Sequence, residues 1–128
     1  MGGFMHVVSE SEQRTTTTPA GSMYGLAGPS QGSAEVSTWR VELGADASTP
    51  VHVIDREQVW MPLSGVFEVE VDGRTEEVGA GQALILPAGA VRRLKAVGGS
   101  AEALVAMAVD GSAMLPGSDK RIPLPWAE

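Results

Sequence analysis

Short runs in which apolar and polar residues alternate recur along the chain from about residue 34 onward. A two-residue period is that of a β-strand with one buried face. The alternation predicts strands over residues 37–43 and 66–71, a return strand over 74–78 follows the second of these, and apolar runs predict strands over 83–86 and 101–109. Asp72-Gly73 separates the second of these from the third and is a strong signal for a tight hairpin turn. No convincing amphipathic helix precedes residue 110, so we expect an all-β fold.

The turn-forming residues predict how these strands are organised. The 16 glycines and 8 prolines punctuate short segments at fairly regular spacing, which favours a sandwich or barrel. A length of 128 residues makes one domain the default. We expect an extended and partly ordered amino-terminal arm over residues 1–34, a barrel core over 35–111, and an extended tail over 112–128 that packs Trp126 on the barrel.

The composition excludes several classes of function. A net charge of −7 argues against nucleic acid, which needs clustered Lys and Arg. The chain has no cysteine, which rules out disulfides, zinc–thiolate sites and thiol nucleophiles. No apolar stretch approaches the ~20 residues of a membrane helix, and we see no signal peptide. We therefore expect a cytoplasmic protein with no nucleic-acid or membrane partner.

Residues 50–65 resemble the first sequence motif of the cupin superfamily. That motif runs His, one residue, His, three residues, Glu, six residues, Gly. In this chain His52 matches the first histidine and Gly65 matches the glycine. Ile54 stands at the position of the second histidine, and Gln58 at the position of the glutamate. The glycine position favours a turn with positive φ or a close backbone approach.

Residues 79–92 resemble the second cupin motif, which runs Gly, five residues, Pro, one residue, Gly, two residues, His. Gly81, Pro87 and Gly89 match, and Arg92 stands in the place of the last histidine. The resemblance covers roughly residues 35–110 and is strongest to small single-domain cupins of actinobacterial type. It implies a double-stranded β-helix, that is a jelly-roll barrel, and a homodimer.

The resemblance also implies a metal site of three imidazoles and one carboxylate, which this chain does not reproduce. Only His52 survives from that set. Ile54 cannot coordinate, Gln58 offers a neutral oxygen that is a poor ligand for a transition ion, and the Arg92 cation would repel a metal. Glu57 cannot substitute, because strand alternation points it away from His52. We therefore expect no metal cofactor, although a divalent metal held in another way stays an alternative.

Strand alternation places His52, Ile54, Gln58 and Trp60 on one face, which the cupin alignment turns toward the barrel interior together with Arg92. Trp60 offers a flat apolar wall, Arg92 can hold an anion, and His52 can move a proton near neutral pH. This set predicts a pocket for an anionic or polar aromatic small molecule. In it, His52 is a candidate acid/base and Arg92 a candidate anion stabiliser.

Plainer interpretations compete with these roles. His52 can equally be a satisfied core histidine, Trp60 a core residue, and Arg92 can face solvent beside Arg93. His6, in the arm, is most simply a surface residue. Three functions are left open: a binding protein without metal, a small isomerase, cyclase or lyase that uses the same pocket, and, least favoured, a metal-dependent dioxygenase-like cupin.

Overall fold

The chain folds into one antiparallel sheet that curls into a barrel. This computed structural model describes residue 3 and residues 5–128. Nine strands make up the sheet: β1 Thr15–Thr17, β2 Gly21–Gly25, β3 Val36–Leu43, β4 His52–Ile54, β5 Gln58–Val71, β6 Arg74–Gly79, β7 Leu84–Leu86, β8 Val91–Ala108 and β9 Ala113–Met114. The only helical segments among the described residues are three short 3₁₀ turns, and none of them could span a bilayer.

Two long strands, β5 and β8, form the frame of the barrel. The first half of β5 pairs with the end of β8, from Gln58 opposite Met107 to Ser64 opposite Glu102. The second half pairs with the start of β8, from Val66 opposite Val97 to Val71 opposite Arg92. The register shifts on both sides of Ser64, beside Gly65. Both strands therefore bend here, and each contributes to two walls of the barrel. This is the jelly-roll arrangement that the strand pattern and the motif resemblance predicted.

The alternation along each strand decides which side chains form the core. In β3 the residues Ser37, Trp39, Val41 and Leu43 are buried and those between them are not. Such a period follows because successive Cβ atoms point to opposite faces of a sheet. Burying side chains of this size stabilises the fold by about 1.5–3 kcal/mol each. The barrel therefore closes around one apolar interior.

Both terminal segments are built into the sheet. Strand β2 lies in the predicted arm, pairs with β3 along five residues and buries Met23. Strand β9, in the predicted tail, pairs with β4. The buried Ser37 hydroxyl donates a hydrogen bond of 2.6 Å to the Ala127 carbonyl, which fastens the end of the chain to the core. The two segments thus complete the wall of the barrel interior.

Candidate functional site

The barrel encloses a cavity of about 580 Å³. Strands β2 and β3 contribute apolar side chains to one wall, and the carboxy-terminal tail closes the other. The residues that line it are Thr18, Pro19, Ala20, Met23, Trp39, Val41, Leu43, Ser48, Thr49, Pro50, His52, Ile54, Gln58, Trp60, Ala113, Met114, Leu115, Ile122, Pro123, Leu124 and Trp126. None of these described lining residues carries a carboxylate, and His52 is the single titratable side chain among them. The cavity is therefore an apolar chamber with very few polar groups.

The imidazole and the side-chain amide of the cavity lie on the face that strand alternation predicted. His52 and Ile54 from β4, and Gln58 and Trp60 from β5, all line the cavity. Glu57 is exposed instead, at the turn before β5. The alternation therefore places the side chains correctly, although the chain turns between Ile54 and Gln58 and is not one continuous strand there.

Gln58 is the centre of this polar cluster. Its side-chain oxygen Oε1 accepts hydrogen bonds from Trp60 Nε1 at 3.0 Å and from Arg92 Nη2 at 2.7 Å. Its amide nitrogen Nε2 lies 3.5 Å from the Met107 sulfur, a weak acceptor. The residue is 2% exposed. Gln58 therefore joins the cavity wall to the buried cation behind it.

Arg92 faces the interior, as the cupin alignment implied, but it does not line the cavity. It lies opposite His52 in the sheet and is 1% exposed. Only its Nη2 has a partner, and Nε and Nη1 are buried without one among the described residues. Burial lowers the pKa of Arg92 to about 10, so the guanidinium still carries its charge at neutral pH. A buried cation with one neutral partner leaves a large part of its desolvation cost without compensation.

His52 is held as a neutral imidazole with a defined tautomer. Its Nδ1 lies 2.7 Å from the Pro50 carbonyl, which can only accept, so Nδ1 carries the proton and Nε2 keeps its lone pair. Burial lowers the pKa of His52, the Pro50 hydrogen bond opposes this, and the nearby Arg92 charge lowers it further. The Nε2 atom makes no hydrogen bond to the described residues and is available as a base or an acceptor.

We expect His52 to make stability depend on pH just below neutrality. Because the pKa of His52 is lower in the folded chain than the usual ~6.5, the unfolded chain binds more protons in that window. The free energy of unfolding should then rise with pH between the lowered value and ~6.5, and fall as the pH decreases through it. Urea unfolding of native protein and His52→Gln from pH 5 to 8 checks this.

A matched control for that experiment is His6→Gln. His6 lies on the arm and bonds the Gln31 carbonyl at 2.7 Å, away from the residues that line the cavity. The control should keep the native slope, whereas His52→Gln should flatten it. An unchanged slope in His52→Gln would show that the imidazole titrates as it does in the unfolded chain.

Two charged residues next to the motif positions, Arg93 and Asp55, do not line the cavity. Arg93, the neighbour of Arg92, has a side chain that is 41% exposed and lies 3.8 Å from Glu70. Asp55 accepts a hydrogen bond from the Ser112 backbone N–H at 2.7 Å and contacts Arg121, so it anchors the tail and does not neutralise Arg92. The interpretation that turned Arg92 toward solvent is wrong, because Arg92 is buried and Arg93 is the exposed member of the pair.

The residues at the cupin metal positions do not fit a metal ion. The oxygen of Gln58 that would serve as a ligand already accepts from Trp60 and Arg92. Arg92 itself brings a positive charge to the position of the last imidazole. Within residues 3 and 5–128, no group of three His, Cys, Asp or Glu side chains is close enough to hold a metal. The donor set that remains at these positions is one imidazole and one amide whose oxygen is already occupied.

Sequence reasoning missed the contribution of the terminal segments. About half of the lining residues lie before residue 24 or after residue 112. The apolar side chains Met114, Leu115, Leu124 and Trp126 of the tail all face the cavity. In the sequence these tail residues are marked only as apolar residues close to prolines. That signal does not indicate where an extended segment will pack.

Comparisons with known proteins agree on the fold. A family model described as a cupin domain matches residues 39–109. No curated protein matches the chain. Among solved structures, the polyketide cyclase RemF from Streptomyces resistomycificus is similar with a TM-score of 0.68 and 23% identity, over 96% of this chain and 83% of that one.

Two further similar structures are those of an oxalate decarboxylase and an oxalate oxidase. A variant of the oxalate decarboxylase of Bacillus subtilis matches with a TM-score of 0.72 and 17% identity, over 84% of this chain but only 30% of that enzyme. An oxalate oxidase matches with a TM-score of 0.67 and 22% identity, over 83% of this chain and 63% of that one. At these identities the likeness concerns the fold alone.

Proposed function

Because the chain belongs to the cupin family, we propose that its barrel cavity binds a small organic molecule with an apolar aromatic body and one anionic or strongly polar oxygen, without a metal. The observation that carries this proposal is the contrast within the cavity. Its walls are mostly apolar, and the Gln58 amide in the wall bonds a buried cation that is incompletely paired among the described residues.

The cavity dimensions support a ligand of drug-like or smaller size. Small-molecule sites usually have volumes of about 300–1,000 Å³ and mostly apolar linings, and this one measures about 580 Å³. Trp39, Trp60 and Trp126 provide flat surfaces on which an aromatic ring can stack. A two- or three-ring aromatic compound would bury most of its surface here.

The electrostatics of the cavity support a ligand that carries or develops negative charge. Among the described residues the Arg92 cation has no carboxylate partner, and Asp55, which follows Ile54 in sequence, is engaged with the tail. A negative oxygen beside Gln58 would interact with the buried guanidinium partly through the protein interior, where the effective dielectric constant is lower than in water. A positively charged ligand would be repelled by the same group.

We expect 2-naphthoate to bind in the cavity and the purified protein to hold less than one transition-metal ion per chain. Calorimetric titration measures the first, and elemental analysis the second. Ala113→Phe should abolish binding, because Ala113 lines the cavity and a phenyl ring would fill it. Ala108→Phe is the matched control, since Ala108 is exposed on β8.

Two results would contradict this proposal. Equal affinities for Ala113→Phe and the native protein would place the ligand outside the cavity. One tightly held metal per chain, lost in His52→Ala, would show a metal centre of a kind that the donor set does not suggest. Mass spectrometry of compounds that co-purify with the protein would then identify the natural ligand class in either case.

A second candidate function, metal-independent proton transfer on an enolisable substrate, is favoured by the state of His52. The imidazole is neutral at pH 7 and keeps its Nε2 lone pair free. His52 would take a proton from the carbon beside a carbonyl. The C–H electron pair would form a C=C bond, and the carbonyl π pair would move onto oxygen near Gln58 and Arg92. The protonated imidazole would return the proton to another atom, giving an isomer.

The similar fold of a polyketide cyclase supports testing this chemistry first on fused-ring ketones. We expect the protein to catalyse deuterium exchange at the carbon between the ring and the carbonyl of 2-tetralone in D₂O, followed by NMR. His52→Gln should reduce the exchange rate by about 10²-fold or more, as for loss of a general base. His6→Gln should keep the native rate. Equal rates for His52→Gln and the native protein would leave binding as the function of the cavity.

A further inference from the structure

We infer that Gln58 is the hydrogen-bond donor that recognises the ligand's oxygen, and that Arg92 is the positioning residue that fixes this polarity. The inference rests on the proposed function, since it assigns the chemical group that the cavity selects. It predicts that the ligand carries an acceptor oxygen, such as that of a ketone, an enolate or a phenolate, at the end of an apolar ring system.

The orientation of the Gln58 amide follows from its neighbours. A primary amide has one accepting oxygen and one donating nitrogen, and its direction is set by the hydrogen-bond network around it. An indole N–H and a guanidinium can only donate. Since Trp60 and Arg92 both point at one end of the amide, at 3.0 Å and 2.7 Å, that end must be the oxygen.

The other end of the amide is then a donor that the protein leaves poorly used. The nitrogen carries two N–H bonds, and its one contact among the described residues is with the Met107 sulfur at 3.5 Å. Gln58 lines the cavity, beside His52. An acceptor oxygen of a ligand would satisfy the second N–H, which protein groups in the described chain do not.

Arg92 acts on the ligand through this amide. Its guanidinium atoms Nε and Nη1 are buried and do not reach the cavity surface, while Nη2 donates to the Gln58 oxygen. Donation from a cation withdraws electron density from the amide oxygen and strengthens donation by the amide nitrogen, as in a polarised hydrogen-bond chain. The positive charge of Arg92 therefore strengthens the hydrogen bond that the neutral Gln58 amide donates to the ligand.

A pair of ligands with the same shape tests this inference. Tetralin and 2-tetralone share a fused-ring skeleton, and only 2-tetralone has an acceptor oxygen. The measured quantity is the ratio of their dissociation constants, by competition with 2-naphthoate or by quenching of tryptophan fluorescence. Native protein should bind 2-tetralone at least as tightly as tetralin.

Gln58→Glu should shift the ratio of the two dissociation constants toward tetralin by roughly tenfold, which corresponds to the loss of about one hydrogen bond. The carboxylate would accept from Trp60 and Arg92 and would offer the ligand no donor. Gln58→Met, which is similar in length and neutral, should shift the ratio in the same direction. It serves as the second variant if the new charge perturbs folding.

Arg92 variants separate positioning from structural support. Arg92→Met should shift the ratio toward tetralin by less than Gln58→Glu does, because Trp60 still holds the amide oxygen. Arg92→Lys keeps a cationic donor and should keep most of the native ratio. If Arg92 only supports the fold, both dissociation constants should rise together and the ratio should stay constant, which would overturn its positioning role.

The outcomes distinguish this inference from the proposed function. Failure of the native protein to bind either compound would overturn both. Binding of both compounds with a ratio that Gln58→Glu and Gln58→Met leave unchanged would keep the cavity as a binding site and overturn the role of Gln58. A ratio that shifts in both Gln58 variants supports the inference.

Discussion

Gly65→Ala is expected to lower the free energy of unfolding by about 3–5 kcal/mol. Gly65 has a φ of +73°, a conformation that costs an L-residue about 1–2 kcal/mol. A Cβ at this position would also lie 2.4 Å from the Ser100 carbonyl oxygen and 2.8 Å from Ala101 Cα. Both of these atoms belong to the backbone of β8, so the bend that joins the two walls would have to open. Urea unfolding measures the change.

Gly73→Ala is the matched control for that substitution. Gly73 has a φ of +81°, and a Cβ there would meet no atom within 4 Å. Its loss of stability should equal the conformational cost alone, about 1–2 kcal/mol. If Gly65→Ala cost no more than Gly73→Ala, the close approach of β5 and β8 at the bend would not constrain the fold.

Arg92→Met is expected to weaken the binding of 2-naphthoate by roughly 1.5–3 kcal/mol, the size of the attraction between two unit charges about 6–10 Å apart at an effective dielectric constant near 20. The substitution removes the buried cation that donates to Gln58 and leaves an apolar side chain of similar length. It should also raise the free energy of unfolding, because a buried guanidinium with two unpartnered nitrogens is lost. Calorimetric titration and urea unfolding of the same preparation test both effects.

Arg93→Met provides the comparison, since the Arg93 side chain is 41% exposed and its nearest acid, Glu70, lies 3.8 Å away. Binding and stability should both stay close to the native values, as for a weak surface ion pair. A 2-naphthoate affinity in Arg92→Met equal to that in Arg93→Met would show that the buried charge does not influence the cavity.

These two substitutions concern residues that the sequence singled out for different reasons. Gly65 stood in a motif position that favours positive φ, and the structure confirms that conformation. Arg92 stood where a metal-binding imidazole was expected, and the alignment correctly turned it inward. Its separation from the cavity surface was not foreseen, because the intervening Gln58 lies 34 residues away in sequence.

The strand predictions show a similar division. The alternation over residues 37–43 predicted β3, and the return from the Asp72-Gly73 turn over 74–78 predicted β6, both nearly to the residue. The runs at 66–71 and 101–109 were recognised only as the second parts of β5 and β8. Pro62 and Gly65 in β5, and Gly98-Gly99 in β8, resemble strand breaks when only local sequence is considered. In the folded chain the two strands bend together at these positions and continue.

By itself the sequence determined the all-β class, the hairpin at Asp72-Gly73 and the shared face of His52, Gln58 and Trp60. These features depend on the geometry of a few consecutive residues, since side-chain direction in a strand alternates with a period of two. Tertiary structure alone decided that the tail and arm close the cavity and that the Gln58 oxygen faces Trp60 and Arg92. It also decided that no carboxylate in the described part of the chain pairs with Arg92. Such contacts join segments that are far apart in the chain, and they follow from how all the strands pack together rather than from any local pattern.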